Sequence, residues 1–229
     1  MTLKADYTID ELLGCAGQLE DANWLYYIVS RDPIAARFSQ EFVGSMVTNA
    51  RATALDVYNK TVELCGKRTA AEYAQFLDID IVEISDKTEF DYIYMSTYTQ
   101  DPPQITVYNS AAQIVDKVMQ GSVYSGEINA VQFREVAIAH EIFHHLELNT
   151  PDIYTQQKIF KYKALGVFPR QVSPLSVSEV AAVYFSQLLT GSSYAPLVYE
   201  LIIQFDGNKL LARELLDKLE NSTGKKEVR

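Results

Sequence analysis

The chain has 229 residues, with 20 Lys plus Arg against 30 Asp plus Glu, giving a net charge of −10 and a pI of about 4.8. A balance this acidic is a poor match for a phosphate backbone and argues against direct nucleic-acid binding. With 48% hydrophobic residues and only 10 Gly and 7 Pro, the composition supports a packed core and excludes disordered or collagen-like architectures.

The first third reads as helical. Thr8-Ile9-Asp10-Glu11 has capping-box spacing before an apolar-periodic run. Asp32-Pro33 is expected to open a further helix, because Pro is tolerated at a first helical position. Apolar periodicity continues through Ala50–Tyr58, and Gly66 is the expected stop. Thr69-Ala70-Ala71-Glu72 is a second capping box, opening a short helix to about Leu77. The period then changes. Ile79–Ile84 mostly alternates, Asp91–Tyr98 is rich in aromatics, and Gln104–Tyr108 follows the break at Asp101-Pro102-Pro103. Three strands so close together predict a small, mostly antiparallel sheet.

Helices return from Ala111 to Met119, and from a cap at Asn129 to about Leu148, where Asn149-Thr150-Pro151 ends the run. A polar connection is expected over 154–174. Three more helices are expected over 176–190, 195–205 and 208–221. The fold class is therefore α+β, mostly helical. The organisation predicted is a helical N-terminal extension over 1–66, a main domain over 67–221 and a flexible tail over 222–229.

Met1–Leu13 lacks the apolar region of a signal peptide. No run approaches the roughly 18 apolar residues of a membrane span. Cys15 and Cys65 lie far apart without C-x-x-C spacing and read as a pair of buried thiols, with a disulfide between them as the competing reading. The expectation is a cytoplasmic protein with no membrane partner.

All three histidines lie within six residues, in Ala139-His140-Glu141-Ile142-Phe143-His144-His145-Leu146. This is H-E-x-x-H on a predicted helix. Residues four apart share a face, so His140 and His144 can both donate an imidazole nitrogen to one Zn2+ ion. Glu141 lies about 100° around the helix. From there it can reach the attacking water without ligating the metal, as general base and later as proton donor to the leaving amine. The flanks Val136–Ala139 and the inner Ile142 and Phe143 are apolar, and a buried helix holds such polar groups only when they are paired or bind metal. The competing reading is a pair of helix histidines satisfied by acidic neighbours.

A catalytic zinc needs a third protein ligand and an open fourth position. His145 points about 140° away from His140, so the third ligand must be a carboxylate. Glu147 occupies the place of a motif glycine and is a candidate second-shell partner or a surface charge. Asp152 lies just past the helix end. Glu179, in the otherwise apolar Ser176–Phe185, is the main candidate, because an isolated buried carboxylate is costly unless a metal compensates it. The bland reading of Glu179 is an acid near a helix N-terminus.

Phe133–His144 resembles the active-site helix of the gluzincin metallopeptidases, within them the ImmA/IrrE-type family. Glu179–Leu189 resembles that family's second helix, a Glu, an Ala three later, then Phe and Leu-Leu. The resemblance covers roughly residues 69–190. It implies a minimal zincin-like metallopeptidase domain over 67–221, one Zn2+ per chain, and hydrolysis of peptide bonds in an intracellular protein substrate such as a transcriptional repressor. The alternative is a non-catalytic protein-binding module that keeps the zincin fold and zinc site. Tyr184 and His145 are candidates for stabilising the oxyanion. Substrate is expected along the last strand before the active helix, at Ile105, Thr106 and Val107, by strand addition. Lys158, Lys161, Lys163 and Arg170 read as a solvated surface or as a contact for an acidic substrate segment.

Overall fold

The structure is a computed structural model that describes residues 6–85, 95–164 and 167–222. Helices α1 (Ile9–Ala16), α2 (Asp21–Ser30), α3 (Gln40–Cys65) and α4 (Ala70–Phe76) precede strands β1 (Asp80–Ile84), β2 (Ser96–Gln100) and β3 (Pro103–Tyr108). Helices α5 (Asn109–Met119) and α6 (Ala130–Leu148) follow. Then come a hairpin of β4 (Phe160–Ala164) and β5 (Phe168–Val172) and helices α7 (Leu175–Thr190), α8 (Val198–Gly207) and α9 (Lys209–Asn221). The α+β, mostly helical class read from the sequence is the class observed. The predicted strand over 91–98 lies partly outside the described residues, as does the tail beyond Ser222. No helix among the described residues is long and apolar enough to cross a membrane. Cys15 and Cys65 are buried free thiols.

Both predicted capping boxes form. The Thr8 and Thr69 side chains accept from the backbone N–H of Glu11 and Glu72, whose carboxylates reach back to the cap N–H groups. Asn129 caps α6 as its position predicts, accepting from the N–H groups of Val131 and Gln132 at 3.0 Å each. Carboxylates from elsewhere in the chain supplement these caps. Asp116 accepts from Ala130 N at 3.1 Å, and Glu135 accepts from Ala70 N at 2.7 Å. Negative charge at a helix N-terminus is favoured by the helix dipole.

Three expectations differ from the fold. Asp32-Pro33 opens no α-helix. The chain turns there through a single 3-10 turn at Ala35–Arg37, and α3 starts at Gln40 under a Ser39 cap. The sheet has strand order β1-β3-β2, with β1 parallel and β2 antiparallel to β3, so it is mixed. The polar connection expected over 154–174 contains the β4–β5 hairpin. Its Phe160 packs on Phe38 and Phe42, with ring centroids 4.8 Å apart in each case.

The main core joins the first third of the chain to the rest. Leu12, Trp24, Met46 and Ala50 pack in one apolar cluster with Ile142, Phe143, Val180 and Phe185. A second cluster forms where α5, the start of α6 and α8 meet, around Val115, Phe133 and Ile202. Burying each large side chain contributes about 1.5–3 kcal/mol. Helix α7 runs between α3 and α6 and is apolar on most sides, as a helix packed on two neighbours must be. Gly191 ends it at φ 64°, a left-handed conformation open to glycine.

The start of α7 has an unusual cap. Pro174 stands at the N-cap and offers no side-chain acceptor. The buried Asp32 supplies one from the other end of the chain. Its Oδ2 accepts from Ser176 N at 2.9 Å and from Ser176 Oγ at 2.8 Å, while Oδ1 accepts from Ile34 N at 3.0 Å. Asp32→Ala strands a buried N–H and a buried hydroxyl. It is expected to lower the unfolding free energy by about 2–4 kcal/mol in urea titrations. Asp32→Asn, which keeps one acceptor, should lose less. A wild-type midpoint for Asp32→Ala would show that this cap contributes nothing.

Candidate metal centre

Helix α6 brings His140 and His144 to one face, and α7 packs against that face. The two Nε2 atoms lie 3.1 Å apart. Glu179 on α7 completes a triangle, with Oε2 3.4 Å from His140 Nε2 and Oε1 3.6 Å from His144 Nε2. His140, His144 and Glu179 form a group whose donor atoms could hold a metal ion. Two imidazole lone pairs aimed at one point repel unless a proton or cation lies between them. A tetrahedral ion with bonds of about 2.0–2.1 Å to such ligands sets donor–donor edges of about 3.3–3.4 Å, close to those observed. The residues present therefore fit a metal.

Glu179 departs from the sequence expectation in one respect. Its side chain is 49% exposed, so it is not an isolated buried carboxylate. Its exposure leaves one side of the triangle open to solvent. Partial desolvation of the oxygens that face the histidines pushes its carboxyl up, but the hydrogen bond with His140 and the charges of His140, His144 and Arg31 outweigh that and hold it down to about 2. Desolvation pushes the His140 imidazole down. The hydrogen bond and charge of Glu179, reinforced by Glu141 and Glu147, raise it above its ordinary value. Both shifts have one meaning: the pocket favours a positive charge between Glu179 and the imidazoles.

Glu141 faces the sheet, 6% exposed. Ser96 Oγ on β2 donates to its Oε1 at 2.7 Å. One turn further along α6, His145 Nδ1 meets the Tyr98 hydroxyl, two residues further along β2, at 2.8 Å. Four helical residues rise about 6 Å and two strand residues about 6.7 Å, so α6 and β2 keep step across this pair of contacts. His145 is thus held against β2, away from the ligand triangle, and burial lowers its pKa.

Glu147 sits behind the His144 ring, one turn further along α6. It is buried, with Oε2 3.5 Å from His144 Nδ1 and accepting from Ser178 Oγ at 2.6 Å. Burial pushes its carboxyl up. Hydrogen bonds with His144 and Ser178 more than reverse this and keep it below the ordinary value. Among the described residues, Glu147 Oε1 and Thr155 Oγ1 are both buried without a hydrogen-bond partner.

Other expectations do not survive the geometry. Tyr184 lies about 140° around α7 from Glu179. Its ring faces the Arg51 guanidinium at 4.5 Å and its hydroxyl accepts from Arg51 at 3.4 Å, so it turns to α3 and away from the ligands. Ile105, Thr106 and Val107 belong to β3, which is hydrogen-bonded on both sides and has no edge to offer a substrate. Asp152 is exposed in a turn at φ 56° and is not part of the triangle. Lys158, Lys161, Lys163 and Arg170 are exposed on and beside the β4–β5 hairpin. Lysines on unpaired strand edges also discourage edge-to-edge association.

Sequence reasoning missed Ser96 and Ser178. Ser178 directly precedes Glu179, so its neighbourhood could have suggested it. Ser96 comes from a strand 45 residues before Glu141, and no local pattern marks it. No family model, curated protein or solved structure matches the chain.

Proposed function

We propose that this protein is a zinc-dependent metallopeptidase of the gluzincin type, acting in the cytoplasm on an intracellular protein substrate. The observation that carries this reading is the convergence of His140, His144 and Glu179 on one point, with Glu141 next to them on α6. Two imidazoles and one carboxylate around an open side suit Zn2+. When bound, the metal supplies a Lewis acid that polarises the scissile carbonyl and acidifies water.

The chain's own residues do the rest. Glu141 takes the proton of the attacking water and passes it to the leaving nitrogen. Ser96 holds Glu141 Oε1, which orients the carboxylate and leaves its second oxygen for proton transfer. In place of β3, β2 is the strand we assign to substrate. Among the described residues it pairs with β3 alone, so its outer edge can add a strand beside Glu141. The net charge of −10 suits a basic protein target such as a DNA-binding regulator better than DNA itself. Two unpaired buried thiols agree with a reducing compartment.

The test is incubation of the purified protein with a mixed-sequence peptide library read by mass spectrometry. Cleavage is expected, stopping when a chelator is added and returning with Zn2+. Zinc binding without cleavage of any peptide would favour a metal-bearing binding module instead.

A further inference from the structure

The metal-facing atom of His144 is Nε2, which lies 3.1 Å from His140 Nε2 and 3.6 Å from Glu179 Oε1. A neutral imidazole that offers Nε2 as a lone pair carries its proton on Nδ1. That N–H then needs an acceptor. The nearest is Ser178 Oγ at 3.2 Å, with Glu147 Oε2 at 3.5 Å behind it. Ser178 has one proton to give, and its 2.6 Å contact to Glu147 Oε2 has the short length of a charge-assisted bond. The hydrogen inventory therefore closes in one direction. His144 Nδ1–H donates to Ser178 Oγ, and Ser178 O–H donates to the Glu147 carboxylate.

Burial gives this arrangement its force. Glu147 is 5% exposed, and a carboxylate taken out of water destabilises a fold unless it is paired. Its Oε2 is used by His144 and Ser178 alone among the described residues, and its Oε1 is buried without a partner. The charge is thus committed to the His144 side of the pocket. Ser178 stands one residue before Glu179, so a single turn of α7 carries both a metal ligand and the group that holds another ligand's ring.

We propose that Ser178 is a positioning residue of the metal centre, relaying the buried Glu147 carboxylate to His144 Nδ1 so that Nε2 is fixed toward the metal. This rests on the metal-centre reading above. The relay fixes both the tautomer and the orientation of the ring.

The test needs no substrate. Zn2+ affinity is measured by competition with a chromophoric chelator, and the visible spectrum of the Co2+-loaded protein reports ligand geometry. Wild type, Ser178→Ala and Ser178→Thr are compared, with the melting temperature of each metal-free protein recorded. Ser178→Ala should bind Zn2+ about ten- to a hundredfold more weakly and show an altered Co2+ spectrum, alongside a lower metal-free melting temperature because the buried Glu147 loses its shortest hydrogen bond. Ser178→Thr, which restores the hydroxyl, should recover most of the affinity. Wild-type affinity and spectrum in Ser178→Ala would overturn the relay and leave the metal centre standing. A wild-type protein that takes up neither ion would overturn both.

Discussion

Adding Zn2+ to the metal-free protein should raise its melting temperature by roughly 10 °C. A ligand that binds the native state alone stabilises it by about 4 kcal/mol when its free concentration is a thousand times Kd. In a chain of this size each kcal/mol moves the melting temperature by about 2–4 °C. The expected size follows from how the site is built. Its ligands come from two helices that already pack against each other, so binding needs no large rearrangement. The pocket also draws positive charge, as the lowered Glu179 and raised His140 pKa values show. His140→Ala, His144→Ala or Glu179→Ala should each abolish most of the shift in a thermal-melt titration, and excess chelator should reverse it in wild type. An unchanged melting temperature on adding Zn2+ would remove the basis of the proposed function.

Glu141→Gln should cut peptide hydrolysis by about a hundred- to ten-thousandfold while leaving the zinc-induced melting shift intact. The substitution is nearly isosteric, and its amide oxygen can still accept from Ser96 Oγ, so the α6–β2 contact is kept. What is lost is the ability to take a proton. Because Glu141 is not part of the ligand triangle, metal uptake should not change. A rate equal to wild type, measured on any peptide that the wild-type protein is found to cleave, would exclude Glu141 as the base.

The parts of this molecule that were legible in its sequence are those set by local rules. Asn129 before an apolar run, the Thr8 and Thr69 capping boxes and the four-residue spacing of His140 and His144 each depend on one helix. Glu179 could be picked out because it interrupts an apolar helix, although the reason offered, burial, was not the operative one. The β4–β5 hairpin had a signal that went unread: Phe160-Lys161-Tyr162-Lys163 alternates with the period of a strand. The remainder depends on contacts between distant segments. Nothing near Ile105–Val107 tells that β1 returns to pair parallel with β3 and so closes its second edge. Nothing near Pro174 tells which residue will cap α7, or that Asp32 is turned inward to do so. Nothing near Tyr184 tells that Arg51 will hold it away from the ligands.

The Asp32–Ser176 contact also bears on the order in which the centre can come into being. Two ligands and the base sit within five residues of one helix, but the third sits on a helix whose first turn is closed by a residue 144 positions earlier. A chain emerging from the ribosome can form the histidine pair on α6 well before α7 exists. The capped α7 has to wait for a loop closure spanning most of the chain, and contacts of such long range form slowly. Assembly of the His140–His144–Glu179 site is therefore coupled to completed tertiary folding, and a half-made or misfolded copy lacks it.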